Sequence, residues 1–167
     1  PDKNYPVLYY LPGGSGRQTN VERILPRLKS AMKSGQLPNM IVIGVNGIQA
    51  SSYRDPPMGR APVESVIIKD LIPHIDHTFR TIRHPDGRAL EGSSMGGFGS
   101  LYLGLKHPEI FGVLLSDNPP FYPGIDDPFS LVKRNADAIR DRTKLYIVGG
   151  KHGGLAGARR FHRWLEM

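Results

Sequence analysis

The chain has 167 residues, a formal charge of +7 and no cysteine, with charged residues making up 22% of its length. Such a length suits one sizeable core, the missing thiols exclude a disulfide framework, a thiolate metal site and a cysteine nucleophile, and no apolar run approaches the ~20 residues that cross a bilayer. The positive charge raises nucleic acid as a partner, but the basic residues are scattered singly among acids and prolines, the densest group being Arg159, Arg160 and Arg163. Neither a zinc spacing nor an RNA-binding aromatic signature accompanies them, so they read as a solvated surface with no nucleic-acid partner. With Pro1 at its start and no signal-like segment, the chain leaves its compartment open.

In chain order, Val7 to Leu11 (VLYYL) is the first predicted strand, stopped by Pro12-Gly13-Gly14, and a helix is expected from about Val21 to Lys33. Met40 to Val45 (MIVIGV) is the second strand, ending at Asn46-Gly47. A helix over Val63 to Phe79 follows, its apolar stripe formed by Val63, Ile67, Leu71 and Ile75 and broadened by Val66 and Ile68. Pro73 is expected to kink or divide it, and Glu64 reads as a helix-end carboxylate that complements the dipole. Arg88 to Glu91 is a short strand leading into a helix from Met95 to Lys106, expected to be amphipathic. Gly112 to Ser116 (GVLLS) and Lys144 to Val148 (KLYIV) are the last strands, followed by helices over Phe129 to Ile139 and Leu155 to Leu165 respectively. Strand and helix alternating in this way predict an α/β protein with a mostly parallel, doubly wound sheet. In such sheets ligands bind at the carboxyl ends of the strands.

One of those ends carries chemistry. Gly92-Ser93-Ser94-Met95-Gly96 satisfies G-x-S-x-G with Ser94 at its centre. The spacing suits a sharp strand-to-helix turn that lifts a serine hydroxyl above the sheet, where side chains two residues before and after would collide. The pattern alone is weak, and a phosphate-binding or merely tight turn is its alternative. A second glycine-rich loop, Leu11-Pro12-Gly13-Gly14-Ser15-Gly16, follows the first strand. It lets main chain approach closely enough to donate an N–H to an oxyanion, with Met95 supplying one donor and Gly14 or its neighbour the other. It has no G-x-x-x-x-G-K-[ST] pattern, and neither loop holds a G-x-G-x-x-G dinucleotide fingerprint.

The segments YPVLYYLPGGSG, PVESVIIKDLIPHIDHTFRTI, ALEGSSMGGFGSLYLGLKHPEIFG and KLYIVGGKHGGLAGARRFHRWL together resemble the putative-esterase family of α/β-hydrolases. That family groups feruloyl and acetylxylan esterases, enterochelin esterases, S-formylglutathione hydrolase and mycolyltransferases. The resemblance implies an α/β-hydrolase sandwich, Ser94 as nucleophile, Met95 and Gly14 as oxyanion donors, and no cofactor or metal. The family acid follows the strand matching KLYIV in a G-x-x-D turn, but here that turn reads Gly149-Gly150-Lys151-His152. The family histidine lies beyond a further strand, so residues 1–167 are expected to be one domain lacking leading strands and a terminal strand.

Within the chain, His152 is the candidate base and Asp117 the candidate to orient it, with Asp126 and Asp127 as further acids. His74 and His77 stand three apart, a metal-compatible spacing without a partner motif, and His84, His107 and His162 read as turn or helix-surface residues. Phe121 and Tyr122, in the loop DNPPFYPGIDDPF, are candidates to wall an acyl or aromatic pocket, and Tyr53 has similar standing. The expected function is serine carboxylic-ester hydrolysis of a small-molecule or polysaccharide-linked ester. The alternatives are acyl transfer to a sugar or other alcohol, and a non-catalytic carbohydrate- or partner-binding domain.

Overall fold

All five predicted strands form and pair in parallel: β1 (Val7–Leu11), β2 (Ile41–Gly44), β3 (Arg88–Ser93), β4 (Val113–Asp117) and β5 (Lys144–Val148). They are seen in a computed structural model that describes residues 3–14, 16–121, 124, 126–150 and 154–166. The sheet order is β2-β1-β3-β4-β5, so the chain leaves β1 in one direction to β2, crosses back, and continues the other way through β3. The reversal lies between β1 and β3, which are hydrogen-bonded from Val7↔Arg88 to Leu11↔Gly92. Their carboxyl ends open the crevice where ligands enter such sheets. Both glycine-rich loops leave from there.

Each crossover carries a helix: α1 (Leu25–Lys33), a helical run from Val63 to Thr78, α4 (Met95–Lys106) and α5 (Pro128–Ile139), with α6 (Leu155–Leu165) after β5. Right-handed connections place α1 on one face and the other crossovers on the opposite one. The face under α4 is closed by Tyr9, Leu11, Leu90 and Leu114, all at 0% exposure. The other face stays half-buried at Glu91, Ser93, Leu115 and Asp117, and reaches the surface at Tyr146 and Val148.

Three helices differ from expectation for identifiable reasons. The first begins with a 3-10 segment, Gln18–Arg23, and turns α-helical at Leu25, where Pro26 sits in the first turn that tolerates it. Pro73 does not break the second: α2 (Val63–Val66) passes through a π-helical stretch, Ile67–Leu71, into α3 (Ile72–Thr78) with helical backbone angles at both joins. The Ile72 N–H reaches five residues back to the Ile67 carbonyl, and this wider winding absorbs a residue that cannot donate. Finally, α4 is not amphipathic. Every residue from Met95 to Leu105 is buried, the mark of a helix enclosed on all sides.

Candidate active site

Ser94 is the hinge between β3 and α4. Its backbone sits at φ 56°, ψ −119°, a conformation that a residue with a Cβ keeps only where its surroundings dictate it. Those surroundings are main chain. A Cβ on Gly92 would lie 2.4 Å from the Gly96 carbonyl, and one on Gly96 would lie 1.8 Å from the Leu11 carbonyl oxygen. The two outer glycines of the motif are therefore sterically required, as the sequence spacing predicted. The Ser94 N–H donates to the Asp117 carbonyl (2.9 Å) and its own carbonyl accepts from Phe98 (2.9 Å), which starts α4. The result is a serine that is exposed while its neighbours Gly92 and Met95 are buried.

The loop after β1 lies alongside. A Cβ placed on Gly13 would come within 3.3 Å of the Ser93 carbonyl and 3.8 Å of the Ser94 Cβ, so no side chain separates the two loops. Gly14 is exposed, with open space where its Cβ would project. The Gly13 carbonyl accepts the Gly16 N–H (2.8 Å), which orients the planar Gly13–Gly14 peptide. Met95 contributes one of the first N–H groups of α4, which have no acceptor within the helix. A hydroxyl, a helix N-terminus and a glycine loop thus meet at the sheet reversal, an arrangement able to receive a carbonyl whose oxygen becomes negative.

The remaining candidates divide sharply. Asp117 ends β4 paired with Ser93, and its carboxylate accepts a hydrogen bond from the Asn118 side chain at 3.0 Å. It also faces Glu91, whose own pKa is pushed up first by burial and then by the Asp117 charge. Asp126 and Asp127 are occupied elsewhere: Asp126 is bound by Arg134 (2.6 Å) and lies 3.5 Å from Lys106, while Asp127 caps α5 by accepting from the Phe129 and Ser130 N–H groups. His152, like Tyr122, lies outside the described residues. Among the described residues no histidine bonds Ser94: His84 pairs with Asp86, His107 with Glu64 and His162 with Glu166. His74 and His77 fall on α3, and no group of three His, Asp or Glu among the described residues can hold a metal ion.

Phe121 packs on Phe161 with ring centres 5.6 Å apart. With Pro119, Pro120, Gly157 and Arg160 it lines a cleft of about 400 Å³ at the loops following β4 and β5. Tyr53 is no pocket wall, being 0% exposed.

Sequence reading missed what happens at the far end of α4. Glu64, 8% exposed, accepts hydrogen bonds from the Tyr102 hydroxyl (2.5 Å) and the Lys106 ammonium (3.0 Å), and its other oxygen meets His107 Nε2 at 2.8 Å. Burial works against ionisation, but the bonds from His107, Tyr102 and Lys106, with the Lys106 charge, outweigh it and bring the Glu64 pKa down to about 2. The available signal was its place: a carboxylate set between Val63 and Ile67 on a buried helical stripe requires a partner.

The profile of the family described as Putative esterase matches residues 1–165. The chain belongs to this esterase family. Among its curated relatives, Esterase Rv1288 of Mycobacterium tuberculosis is 34% identical over 121 residues, covering 71% of this chain and 26% of the relative. An endo-1,4-beta-xylanase/feruloyl esterase of Xylanibacter ruminicola is 28% identical across 98% of this chain and 25% of its own length. The chain thus spans about a quarter of these relatives. Among solved structures, a ferulic acid esterase superposes with a TM-score of 0.64 at 25% identity, over 84% of this chain and 57% of that one. FphF, a fluorophosphonate-binding serine hydrolase of Staphylococcus aureus, reaches 0.81 at 18% identity over 98% and 72%, a likeness of fold.

Proposed function

We propose that this esterase-family chain carries the nucleophile and oxyanion hole of a serine carboxylic-ester hydrolase. The observation that carries the reading is Ser94 itself: exposed, held at positive φ by main-chain contacts, and set against the Gly13–Gly14 loop at the sheet reversal. In the reaction a base removes the Ser94 hydroxyl proton as Oγ attacks the ester carbonyl carbon. The carbonyl oxygen becomes an oxyanion facing the Met95 and Gly14 N–H groups, each typically worth ~3 kcal/mol. Collapse expels the alcohol, which takes the proton from the base, and leaves an acyl-serine. Water, deprotonated by the same base, then attacks the acyl carbon; the bond to Ser94 Oγ breaks, Oγ takes the proton back from the base, and the acid is released. His152 is the base candidate within the chain and Asp117 the candidate to orient it.

An aromatic or carbohydrate-linked acyl ester is the substrate class we favour. The ferulic acid esterase neighbour and the cleft beside Phe121 support it. The test treats the full-length protein with a fluorophosphonate and maps the adduct by mass spectrometry, alongside hydrolysis of p-nitrophenyl acetate and methyl ferulate. A single adduct on Ser94, absent from Ser94→Ala, is expected. Labelling elsewhere, or ester turnover that survives Ser94→Ala, would overturn the reading.

A further inference from the structure

We propose that Tyr53 is a positioning residue for the oxyanion hole, a buried strut that sets the separation of its two N–H donors; the inference rests on the reading of Ser94 as nucleophile. Tyr53 has no access to solvent, so substrate contact is not its role. Its hydroxyl donates to the Pro12 carbonyl at 2.7 Å, at the residue where the chain leaves β1 for the Gly13–Gly14 turn. The edge of the same ring rests on α4. A Cβ added to Gly99 would meet the ring at 2.3 Å, and one added to Gly47 would meet the hydroxyl oxygen at 2.4 Å. One side chain therefore touches the loop that carries the Gly14 donor and, one turn into the helix, the element that carries the Met95 donor.

A second observation is that the loop bearing Tyr53 holds an unfavourable backbone through its contacts. Ile48, Ala50, Ser52 and Tyr53 all have φ between 51° and 58°, a concentration of unfavourable backbone that survives only where contacts over-determine it. Those contacts run to the oxyanion loop. The Gly47 N–H donates to the Gly16 carbonyl (2.9 Å), and a Cβ on Gly16 would lie 2.7 Å from the Ile48 carbonyl carbon. Ser51 Oγ accepts the Tyr53 N–H (3.0 Å) and donates to the Gly47 carbonyl. The segment around Gly47 to Tyr53 thus grips the Pro12 to Gly16 loop at both ends. The Pro12 carbonyl is held by the phenol, and the Gly16 carbonyl by the Gly47 amide.

The test is Tyr53→Phe in the full-length protein, which keeps the ring and removes the single hydrogen bond to Pro12. Its readouts are kcat and KM for p-nitrophenyl acetate, inhibition by a trifluoromethyl ketone, which forms a serine hemiketal with a negative oxygen, and the melting midpoint. A misplaced donor is expected to lower kcat about tenfold, to weaken the trifluoromethyl ketone by a similar factor, and to leave KM within about twofold. Unchanged kcat and inhibition would overturn the proposal. So would a melting midpoint that collapses in step with kcat and KM, which assigns the hydroxyl to general stability. Ser94→Ala is measured in parallel: if it stays active the nucleophile reading fails, and if it is inactive while Tyr53→Phe matches the parent, only the strut fails.

Discussion

The two ends of α4 are built on opposite plans. At its N-terminus, Ser94 is fixed by carbonyls and missing side chains: Gly92, Gly96 and Gly97 each sit where a Cβ would strike main chain within 2.5 Å. At its C-terminus, Lys106 and His107 enter a buried cluster with Glu64, Tyr102 and Asp126, where nearly every contact is between side chains and most are charged. The difference teaches how one helix serves two needs. Packing main chain against main chain leaves the Ser94 hydroxyl and the first helix N–H groups uncommitted among the described residues. A charged cluster there would occupy those groups; at the far end it fastens α4 to α2 and to Asp126 without touching them.

Substitutions at the two ends should therefore separate activity from stability. Ser94→Ala removes the hydroxyl and nothing that packs, so ester turnover is expected to fall about 10⁴-fold or more while the melting midpoint stays within a few degrees of the parent. Gly96→Ala drives a methyl into the Leu11 carbonyl, a rigid obstacle. A loss of more than about 3 kcal/mol in urea unfolding is expected, beyond ordinary overpacking. Glu64→Ala removes the carboxylate shared by Tyr102, Lys106 and His107, and about 3 kcal/mol of stability should go with it. In that variant, fluorophosphonate labelling of the folded fraction at Ser94 should persist, because no contact of the elbow changes.

Acid probes the same contrast without mutation. The Glu64 carboxyl ionises below its usual range in the folded protein, at about 2, so its stabilisation is fully present above about pH 5. It is lost as the pH falls from there towards 2. The contribution is on the order of 3 kcal/mol, and Asp126 shifts in the same direction: burial opposes the shift, but the Arg134 bond and the Lys106 charge prevail. Unfolding midpoints measured between pH 7 and 3 should drop steeply in the parent and much less in Glu64→Gln. The smallest effect is expected at Gly14→Ala, where nothing lies within 4 Å of the added methyl. Stability there should change by less than about 0.5 kcal/mol.

The same contrast explains what could be read from the residues alone. β1 and β5 appear with their expected limits, β2 and β4 differ by one residue at each end, and β3 runs two residues longer at its carboxyl end. Apolar runs closed by glycine and proline are local signals, and the Ser94 elbow announces itself within five residues, although the Leu11 and Asp117 carbonyls that enforce it lie far along the chain. The Glu64 cluster joins residues up to 43 positions apart, and Tyr53 reaches 41 residues back to Pro12. No spacing rule connects such pairs. The misjudged amphipathicity of α4 has a related cause: its outer side is covered by Tyr53, α5 and the Glu64 helix, which periodicity within Met95 to Lys106 does not reveal.

Enclosure of α4 on every side has a practical corollary. A helix without a solvent face opens only when the elements covering it leave, so its amides should be among the slowest in the chain to exchange with deuterium. Ser94 is joined directly to that helix. Heating should then abolish turnover at the temperature where the tertiary signal melts, with no earlier phase in which the protein is folded but inert.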